Sequence, residues 1–372
     1  MTRLWCSAAG VIGASTRPMG RPSTVSIRPS MPTAAIPCPT LGSHTIVVEP
    51  IRMQSSCTVK PAVAHPSGSS PTTTVVNWCR SRSMAGVSHA DRWWSEPACW
   101  LGSAAMAAPV TFDELFSLEP AGDDTFRAIS AEYPWGQVYG GQVAAQGLLA
   151  AGLTTEFVYE PHSLHAYFVR IGNHGEPIEF EVDRVRDGSS FVTRRVLARQ
   201  SHGVILNLSA SFQRVEDEPE AQRVKIPDVA APGVIEMDSW IEPMIERSGA
   251  AAAPPDARAW IRITEPYRDT PLMHAVAHTY TSDDLPTEAV EYAHPIESPD
   301  YDDPDVVRPF FGASLDHAVW FHNLRSATDW TLHDFRSSGV RRGRGHATGE
   351  LWNPDGTHVA TVTQEVLLRV AR

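Results

Sequence analysis

The stretch that decides the fold is GGQVAAQGLLAAGLTT, residues 140–155. Its apolar positions suit a buried helix that begins after a glycine-permitted turn. A short alternating stretch, DTFRAIS at 124–130, precedes this helix. After the helix, Asp187-Gly188 is typical of a hairpin turn between the second and third of the strands that follow. Four runs typical of strands follow the helix: HSLHAYFVR (162–170), IEFEVDRVRDG (178–188), SFVTRRVLARQ (190–200) and VILNLSASFQ (204–213). This unit is therefore predicted to be a strand, a helix and an antiparallel meander.

A second unit with the same order begins at RAWIRIT, residues 258–264. Asp269-Thr270-Pro271 is a good helix start, because an N-cap side-chain oxygen is followed by proline at the first helical position. Proline lacks a backbone N–H, and that N–H would have no partner within the helix at this position. The helix is predicted to continue through LMHAVAHTYTSD. Four more strand runs follow, the last two joined at the turn Pro354-Asp355-Gly356: SLDHAVWFH (314–322), DWTLHDFRSS (329–338), RRGRGHATGELW (341–352) and HVATVTQEVLLRV (358–370).

The two units echo each other, with LHAYFVR in the first and DHAVWFH in the second. A long helix beside a curled antiparallel meander predicts an α+β fold, because the strands can hide one face on the helix. Two such sheets can join edge to edge. The segment 215–257 between the units is acidic and then rich in Ala and Pro, so it is predicted to be a linker with at most one short element.

Residues 1–105 are a different kind of polypeptide from the rest of the chain. They hold all five cysteines, carry 9 basic against 3 acidic side chains, and show no helical or strand periodicity. We predict no fold for this segment. Three interpretations compete: a spurious translation upstream of a start at Met106, a flexible tail, or an organelle transit peptide. The irregular scatter of Cys and Trp favours the first.

From residue 106 onward the chain carries 22 basic and 40 acidic side chains, out of 31 and 43 in the whole sequence. This acidic part of the chain repels phosphate backbones, which argues against a nucleic-acid partner. It has no cysteine, so neither disulfides nor thiolate metal sites can form there. The sequence has no apolar run long enough for a membrane span and no secretory signal, so we expect a cytoplasmic protein without a membrane partner.

The motifs of several enzyme classes are missing from this body. It has no GxSxG elbow, no HExxH, no P-loop and no dinucleotide fingerprint after a strand. His274 and His278 have the spacing that puts two imidazoles on one helix face, but without an evident third ligand they are predicted to be surface or packing residues. His317 and His322 are expected on opposite faces of a strand. We expect no metal and no cofactor.

Eight segments together resemble the acyl-CoA thioesterase II family, in the same order and over nearly all of residues 110–370. They are VYGGQVAAQGLLAA, PHSLHAYFVRIG, RVRDGSSFVTRRVLARQ and LSASFQ in the first unit, and YTSD (280–283), SLDHAVWFH (314–322), GELWNPDG (349–356) and TVTQE (361–365) in the second. The resemblance implies two fused hotdog folds, each a helix wrapped by an antiparallel sheet. It predicts an N-terminal hotdog domain at 106–214 and a C-terminal one, with the catalytic residues, at 258–372.

The resemblance also implies hydrolysis of a fatty acyl-CoA thioester without a covalent intermediate, by an Asp, a Thr or Ser, and a Gln. These positions fall on Asp283, Ser314 and Gln364. Ser314 stands where relatives often have Thr, and Ile171 stands where many have Pro. A carboxylate in reach of a water can serve as base, and partial burial at a helix C-terminus is expected to raise the pKa of Asp283. Ser314 and Gln364 are expected to orient the water.

The glycine-led helix start is expected to take part from the other unit. Backbone N–H groups of Gly140 and Gly141 can face the developing oxyanion, although glycines there also allow helix and sheet to pack closely. These two residues and Gln142 are the predicted substrate-binding residues. Small residues along the helix suit an apolar tunnel for an acyl chain.

Asp316 and His317 are expected to form a local hydrogen-bonded pair that braces the loop beside Ser314. A Ser314–His317–Asp nucleophilic triad is disfavoured, because strand residues three apart point to opposite faces. Two rival functions remain: a hotdog hydratase or dehydratase that uses His with Asp on enoyl thioesters, and a catalytically silent acyl-CoA-binding module. Exposed sheet edges predict a homo-oligomer.

Overall fold

A computed structural model describes residues 110–241, 244–252, 254–296 and 309–370. The prediction made for residues 1–105, and the start at Met106, lie outside these residues. The helices are α1 (Phe112–Leu115), α2 (Gly140–Leu153), α3 (Pro271–Ser282) and α4 (Pro286–Tyr292). The strands are β1 (Glu119–Gly122), β2 (Thr125–Ala128), β3 (Tyr159–Phe168), β4 (Ile178–Asp187), β5 (Phe191–Gln200), β6 (Gly203–Arg214), β7 (Ile235–Met237), β8 (Ile245–Gly249), β9 (Asp256–Ile263), β10 (Phe310–Ser314), β11 (Asp316–Phe321), β12 (Thr331–Arg341), β13 (Arg344–Trp352) and β14 (His358–Val370).

All the strands of the described residues belong to one antiparallel sheet. Their order is β1-β2-β4-β5-β6-β3-β11-β14-β13-β12-β9-β8-β7, and β10 also pairs with β14. The two halves meet where β3 pairs with β11, with Ala166 opposite His317. The predicted edge-to-edge junction therefore lies between the two strands that carry the echoing sequences.

Helices α2 and α3 pack against each other and bury nearly all of their residues against the sheet. The side chains that form this core are apolar and fully buried, as burial of aliphatic groups is the main favourable term in folding; examples are Leu148, Leu164, Leu208, Val276 and Val362. None of the helices in the described part of the chain has the length and apolar character needed to span a bilayer.

The predicted starts and turns of the second unit are confirmed. Thr270 is the N-cap of α3, its side-chain oxygen accepts from the backbone N–H of Met273, and Pro271 opens the helix. The run at 358–370 forms β14 with those bounds, after a turn in which Gly356 has a positive φ of 86°. The Asp187-Gly188 turn also joins β4 to β5.

The segment 215–257 holds more structure than predicted. It contains the two strands β7 and β8, where one short element at most was expected, and β8 pairs with β9 to extend the sheet. Charged side chains occupy these short strands, among them Glu236, Glu246 and Arg247, so no alternating hydrophobic pattern marks them. Helix α4 was missed as well, because its seven residues are too few for a helical period to stand out.

Candidate active site

Three side chains predicted from the second unit form a chain of hydrogen bonds. Asp283 is the C-cap residue of α3, Ser314 ends β10, and Gln364 lies within β14. The hydroxyl of Ser314 donates to Asp283 Oδ1 over 2.9 Å, and Gln364 Nε2 donates to Ser314 Oγ over 2.8 Å. The fold thus joins residues that are 81 positions apart in the sequence.

A β-bulge between β10 and β11 shapes this part of the sheet. Ser314 lies opposite Val366 of β14, whereas Ala318 lies opposite Thr363, so four steps along one strand match three along the other. The extra residue reverses the alternation of side chains. Ser314 and His317 therefore face the same side, although strand residues three apart normally face opposite sides.

His317 is a site residue that the sequence interpretation misplaced. Its ring is fully buried, with Nδ1 2.5 Å from Gln364 Oε1 and Nε2 2.8 Å from Ser282 Oγ. The expected Asp316–His317 pair is wrong: Asp316 Oδ1 instead accepts from the backbone N–H of Glu365 over 2.6 Å. No strand-period argument could place His317 correctly, because the bulge leaves no trace in the hydrophobic pattern.

The nucleophilic triad is not formed either. Gln364 lies between Ser314 and His317 and hydrogen bonds to both. His317 uses both ring nitrogens on Gln364 and Ser282. It is therefore not in a position to take a proton from the Ser314 hydroxyl.

The N-terminus of α2 comes from the first half and abuts Asp283. A Cβ on Gly140 would lie 2.7 Å from Asp283 Oδ2, and a Cβ on Gly141 would lie 2.5 Å from the carbonyl oxygen of Tyr280, so a side chain at either position would force these groups apart. The Gly141 N–H hydrogen bonds to the Asp283 carboxylate. The helix N-terminus, a favourable place for an anion, thus faces this carboxylate.

Gln142 is placed away from the substrate position proposed for it. Its Oε1 accepts from Tyr133 Oη over 2.8 Å and from the N–H of Ala131 over 3.3 Å, and its Nε2 donates to the carbonyl of Ile129 over 3.2 Å. The side chain is fully buried and does not line the cavity beside Asp283. These contacts brace α2 against the preceding loop, so the structure speaks against the prediction that Gln142 binds substrate.

A cavity of about 520 Å³ opens beside Asp283 and Ser314. Gly140 also lines it, whereas Gln364 and His317 are fully buried and connect to it through Ser314. Most of the remaining wall is apolar: Val138, Val143, Phe168, Val169, Ile171, Ile205, Phe310, Leu315 and Leu367. An apolar cavity with a few convergent polar groups is typical of a small-molecule site.

The electrostatics of the site depend mainly on burial. Burial raises the pKa of Asp283, while His317 and the hydrogen bonds from Ser314, Gln364 and the Gly141 N–H oppose that rise. Burial also lowers the pKa of His317, against the charge of Asp283. A carboxyl group whose pKa is raised toward neutrality is suited to accept a proton during catalysis.

Further titratable groups surround Asp283 and His317. Tyr139 precedes α2, and burial together with the charges of Asp283 and Asp284 raises the pKa of its hydroxyl, which therefore stays protonated. Asp284 pairs with Arg247 and accepts from Trp240 Nε1 over 2.7 Å.

Within the described residues, no group of three or more His, Cys, Asp or Glu side chains is arranged to hold a metal ion. The helical histidines have separate partners. His274 Nε2 lies 2.9 Å from Asp269 Oδ1, and His278 Nε2 lies 2.8 Å from the carbonyl oxygen of Arg325.

Comparisons with known proteins identify the relatives of this chain. The family model described as the acyl-CoA thioesterase N-terminal domain matches residues 129–213, and the one described as the C-terminal domain matches residues 212–368. Acyl-CoA thioesterase 2 of Haemophilus influenzae is 30% identical over 281 residues, which are 68% of this chain and 96% of that protein. Human acyl-coenzyme A thioesterase 8 is 28% identical over 289 residues, with 69% and 88% covered.

Among solved structures, acyl-CoA thioesterase II TesB2 of Mycobacterium marinum is 32% identical, with a TM-score of 0.58 over 69% of this chain and 96% of that one. A hot dog fold protein of Alicyclobacillus acidocaldarius, 20% identical with a TM-score of 0.58 over 70% and 98%, supports the fold. The predicted α+β double hotdog is confirmed. The chain belongs to the acyl-CoA thioesterase II family.

Proposed function

We propose that this protein hydrolyses fatty acyl-CoA to a free fatty acid and coenzyme A, with Asp283, Ser314 and Gln364 acting on the attacking water. The names of its relatives support the class of reaction. The observation that carries the residue assignment is the continuous chain of hydrogen bonds from Gln364 through Ser314 to Asp283, which ends at an apolar cavity.

The chemistry needs one proton acceptor and no ionisable nucleophile. Asp283 takes a proton from water as the water oxygen attacks the thioester carbonyl carbon, and the tetrahedral intermediate then expels the coenzyme A thiolate. The proton held by Asp283 passes to that sulfur, which leaves the carboxylate ready for another turnover. Ser314 lines the cavity beside Asp283 and fixes the water, while Gln364 holds the Ser314 hydroxyl in place.

An acyl chain suits the apolar wall of the cavity, and about 520 Å³ lies within the usual range of small-molecule pockets. The acyl chain would displace water from aliphatic and aromatic side chains, which is favourable in proportion to the apolar area covered. The domain bounds, the cytoplasmic location and the homo-oligomer stay predictions.

The rival hydratase or dehydratase requires a histidine that reaches the substrate. His317 is the histidine nearest to Asp283 in the chain of bonds, yet it is fully buried and does not line the cavity. This placement favours water activation by Asp283 over a His–Asp pair acting on an enoyl thioester.

The decisive experiment measures thiol release from palmitoyl-CoA with DTNB, beside loss of enoyl absorbance with a 2-enoyl-CoA. We expect thiol release by the unaltered protein, a loss of roughly 100-fold or more in Asp283→Ala, the scale of a general base, and palmitoyl-CoA binding within about threefold of normal. Asp269→Asn is the matched control, because Asp269 is exposed at the other end of α3.

Three results would contradict the proposal. Enoyl turnover without thiol release would identify a hydratase. Acyl-CoA binding without any turnover would identify a silent binding module. Undiminished hydrolysis in Asp283→Ala would remove Asp283 from the mechanism.

A further inference from the structure

The proposed hydrolysis assigns no part to the side chain of His317, although this ring belongs to the buried hydrogen-bond chain. It comes from β11, and its partners come from two other elements: Gln364 from β14 and Ser282 from α3. It does not line the cavity, so it acts on the reaction through the groups it holds and through its charge interaction with Asp283.

The hydrogens along this chain can be assigned from Asp283 outward. An ionised carboxylate only accepts, so the single hydrogen of the Ser314 hydroxyl points to Asp283 Oδ1. Ser314 Oγ can then only accept from Gln364, which must present its Nε2 and turn its Oε1 toward His317. Because Oε1 only accepts, His317 Nδ1 must carry a hydrogen. This holds whether the imidazole is neutral or charged.

At the end of the amide away from Ser314, the contact of Gln364 Oε1 is the ring Nδ1 of His317. The two ends of an amide have nearly the same shape, so packing alone does not choose between them. If Nδ1 carried no hydrogen, the amide would turn its Nε2 toward the ring and its Oε1 toward Ser314. The Ser314 hydroxyl would then be drawn away from Asp283, which would lose a donor.

We propose that His317 is a positioning residue: its Nδ1–H fixes the Gln364 amide, and so directs the Ser314 hydroxyl at Asp283 and keeps that carboxylate aligned as the proton acceptor. This inference rests on the proposed hydrolysis. The buried ring of His317 thereby sets the direction of donation along the whole chain of hydrogen bonds.

The test compares His317→Asn with His317→Gln in the full chain. The amide nitrogen of Asn takes nearly the place of ring Nδ1, whereas that of Gln takes nearly the place of Nε2. We expect His317→Asn to keep kcat within about fivefold and His317→Gln to lose on the order of 10–100-fold, the usual effect of removing a group that orients a reactive side chain. KM should stay unchanged in both, because the ring does not line the cavity.

A merely structural role would give the two variants the same pH profile. Both lose the charge interaction with His317 that lowers the pKa of Asp283, but only His317→Gln should also lose the Ser314 donor, so its acid limb of kcat/KM should lie at higher pH than that of His317→Asn. His333→Asn is the control, since His333 of β12 is equally buried but lies outside the chain of bonds. It should leave kcat and the profile as they are.

The outcomes are distinguishable. An unaltered protein that releases no thiol contradicts the proposed hydrolysis itself. An active protein in which His317→Gln and His317→Asn have equal kcat overturns the positioning role. Should both variants unfold, ¹⁵N chemical shifts of the His317 ring in the unaltered protein decide: a protonated Nδ1 is expected, and an unprotonated Nδ1 overturns the inference.

Discussion

Two histidines in echoing sequences have opposite environments. His165 of β3 is exposed and packs edge-on against Trp320, with ring centroids 4.9 Å apart. His317 of β11 is fully buried in the candidate active site. The two strands pair with each other, and each histidine lies opposite an alanine, with Ala318 across from His165. Similar sequence therefore does not mean the same face of the sheet.

The halves also contribute different kinds of groups to the site. The first half provides backbone, since the start of α2 places Gly140 and Gly141 against Asp283. The second half provides the side chains proposed to act in catalysis. A duplicated fold has thus come to divide one site between a helix N-terminus and a polar cluster.

Among substitutions that leave Asp283 in place, the largest effect should follow from altering the amide at the centre of that cluster. Gln364→Glu replaces a donor by a carboxylate facing the Ser314 hydroxyl and adds a charge near Asp283, so kcat should fall by roughly 100-fold to 1,000-fold, as when one catalytic donor is lost. Steady-state thiol release measures this. Thr363→Val is the control, because Thr363 precedes Gln364 on the other face of β14. A kcat within tenfold of normal would remove Gln364 from the mechanism.

The contribution of the first half can be tested with two glycines of α2. In Gly141→Ala the new Cβ meets the Tyr280 carbonyl at 2.5 Å, so the helix start must move away from Asp283. We expect kcat to drop by about tenfold and the free energy of unfolding to fall by about 1–3 kcal/mol, as for overpacking in a core.

Gly147→Ala is the matched control, because its Cβ would lie 3.5 Å from Leu208 Cδ1, an ordinary contact. Alanine favours helix over glycine by up to about 1 kcal/mol, so this variant should be active and somewhat more stable. Thermal unfolding and thiol release test both variants. Equal activities in the two would mean that the start of α2 plays no part in the site.

A smaller effect concerns pH. The pKa of Asp283 is raised in the folded protein, so ionisation is easier in the unfolded chain and the free energy of unfolding decreases as pH rises through the folded-state pKa. Asp283→Asn has no such decrease. It should be inactive, yet at alkaline pH its melting temperature should be about 2–4 °C above that of the unaltered protein, the shift for roughly 1 kcal/mol in the free energy of unfolding. At acid pH the two melting temperatures should be the same. A variant that melts lower at every pH would contradict the raised pKa.

The smallest effect is expected at the other histidine of the comparison. His165→Asn removes an exposed ring from the face of the sheet opposite to Ala166, which is buried. Its kcat should stay within about twofold of normal and its melting temperature within a degree or two, as for most surface substitutions. A large loss of activity would show that both histidines serve the site.

Much of this fold is readable from the sequence because it follows local rules. The apolar run of α2, the Thr270 cap and the alternation in β14 each depend on a few neighbouring residues. Asp283, Ser314 and Gln364 were found through the family resemblance, since no local rule brings them together.

What escaped prediction depends on contacts distant in sequence. The bulge after Ser314 is set by pairing with β14, and it reversed the face expected for His317. Gln142 looked available for substrate, yet Tyr133 and the loop before α2 occupy its amide. Strand β8 depends on its pairing with β9, and β7 depends in turn on its pairing with β8.

The pairing of β3 with β11 bears on how the molecule would behave if it were severed. If the chain were cut between the halves, each fragment would expose one strand, β3 or β11, whose backbone N–H and C=O groups would lose their hydrogen-bond partners. Mixing the two fragments would restore the pairing of β3 with β11. Two copies of one fragment would instead pair through the same strand and would have no activity, because Gly141 and Asp283 would never come together. Regained turnover would thus act as a reporter of correct reassembly.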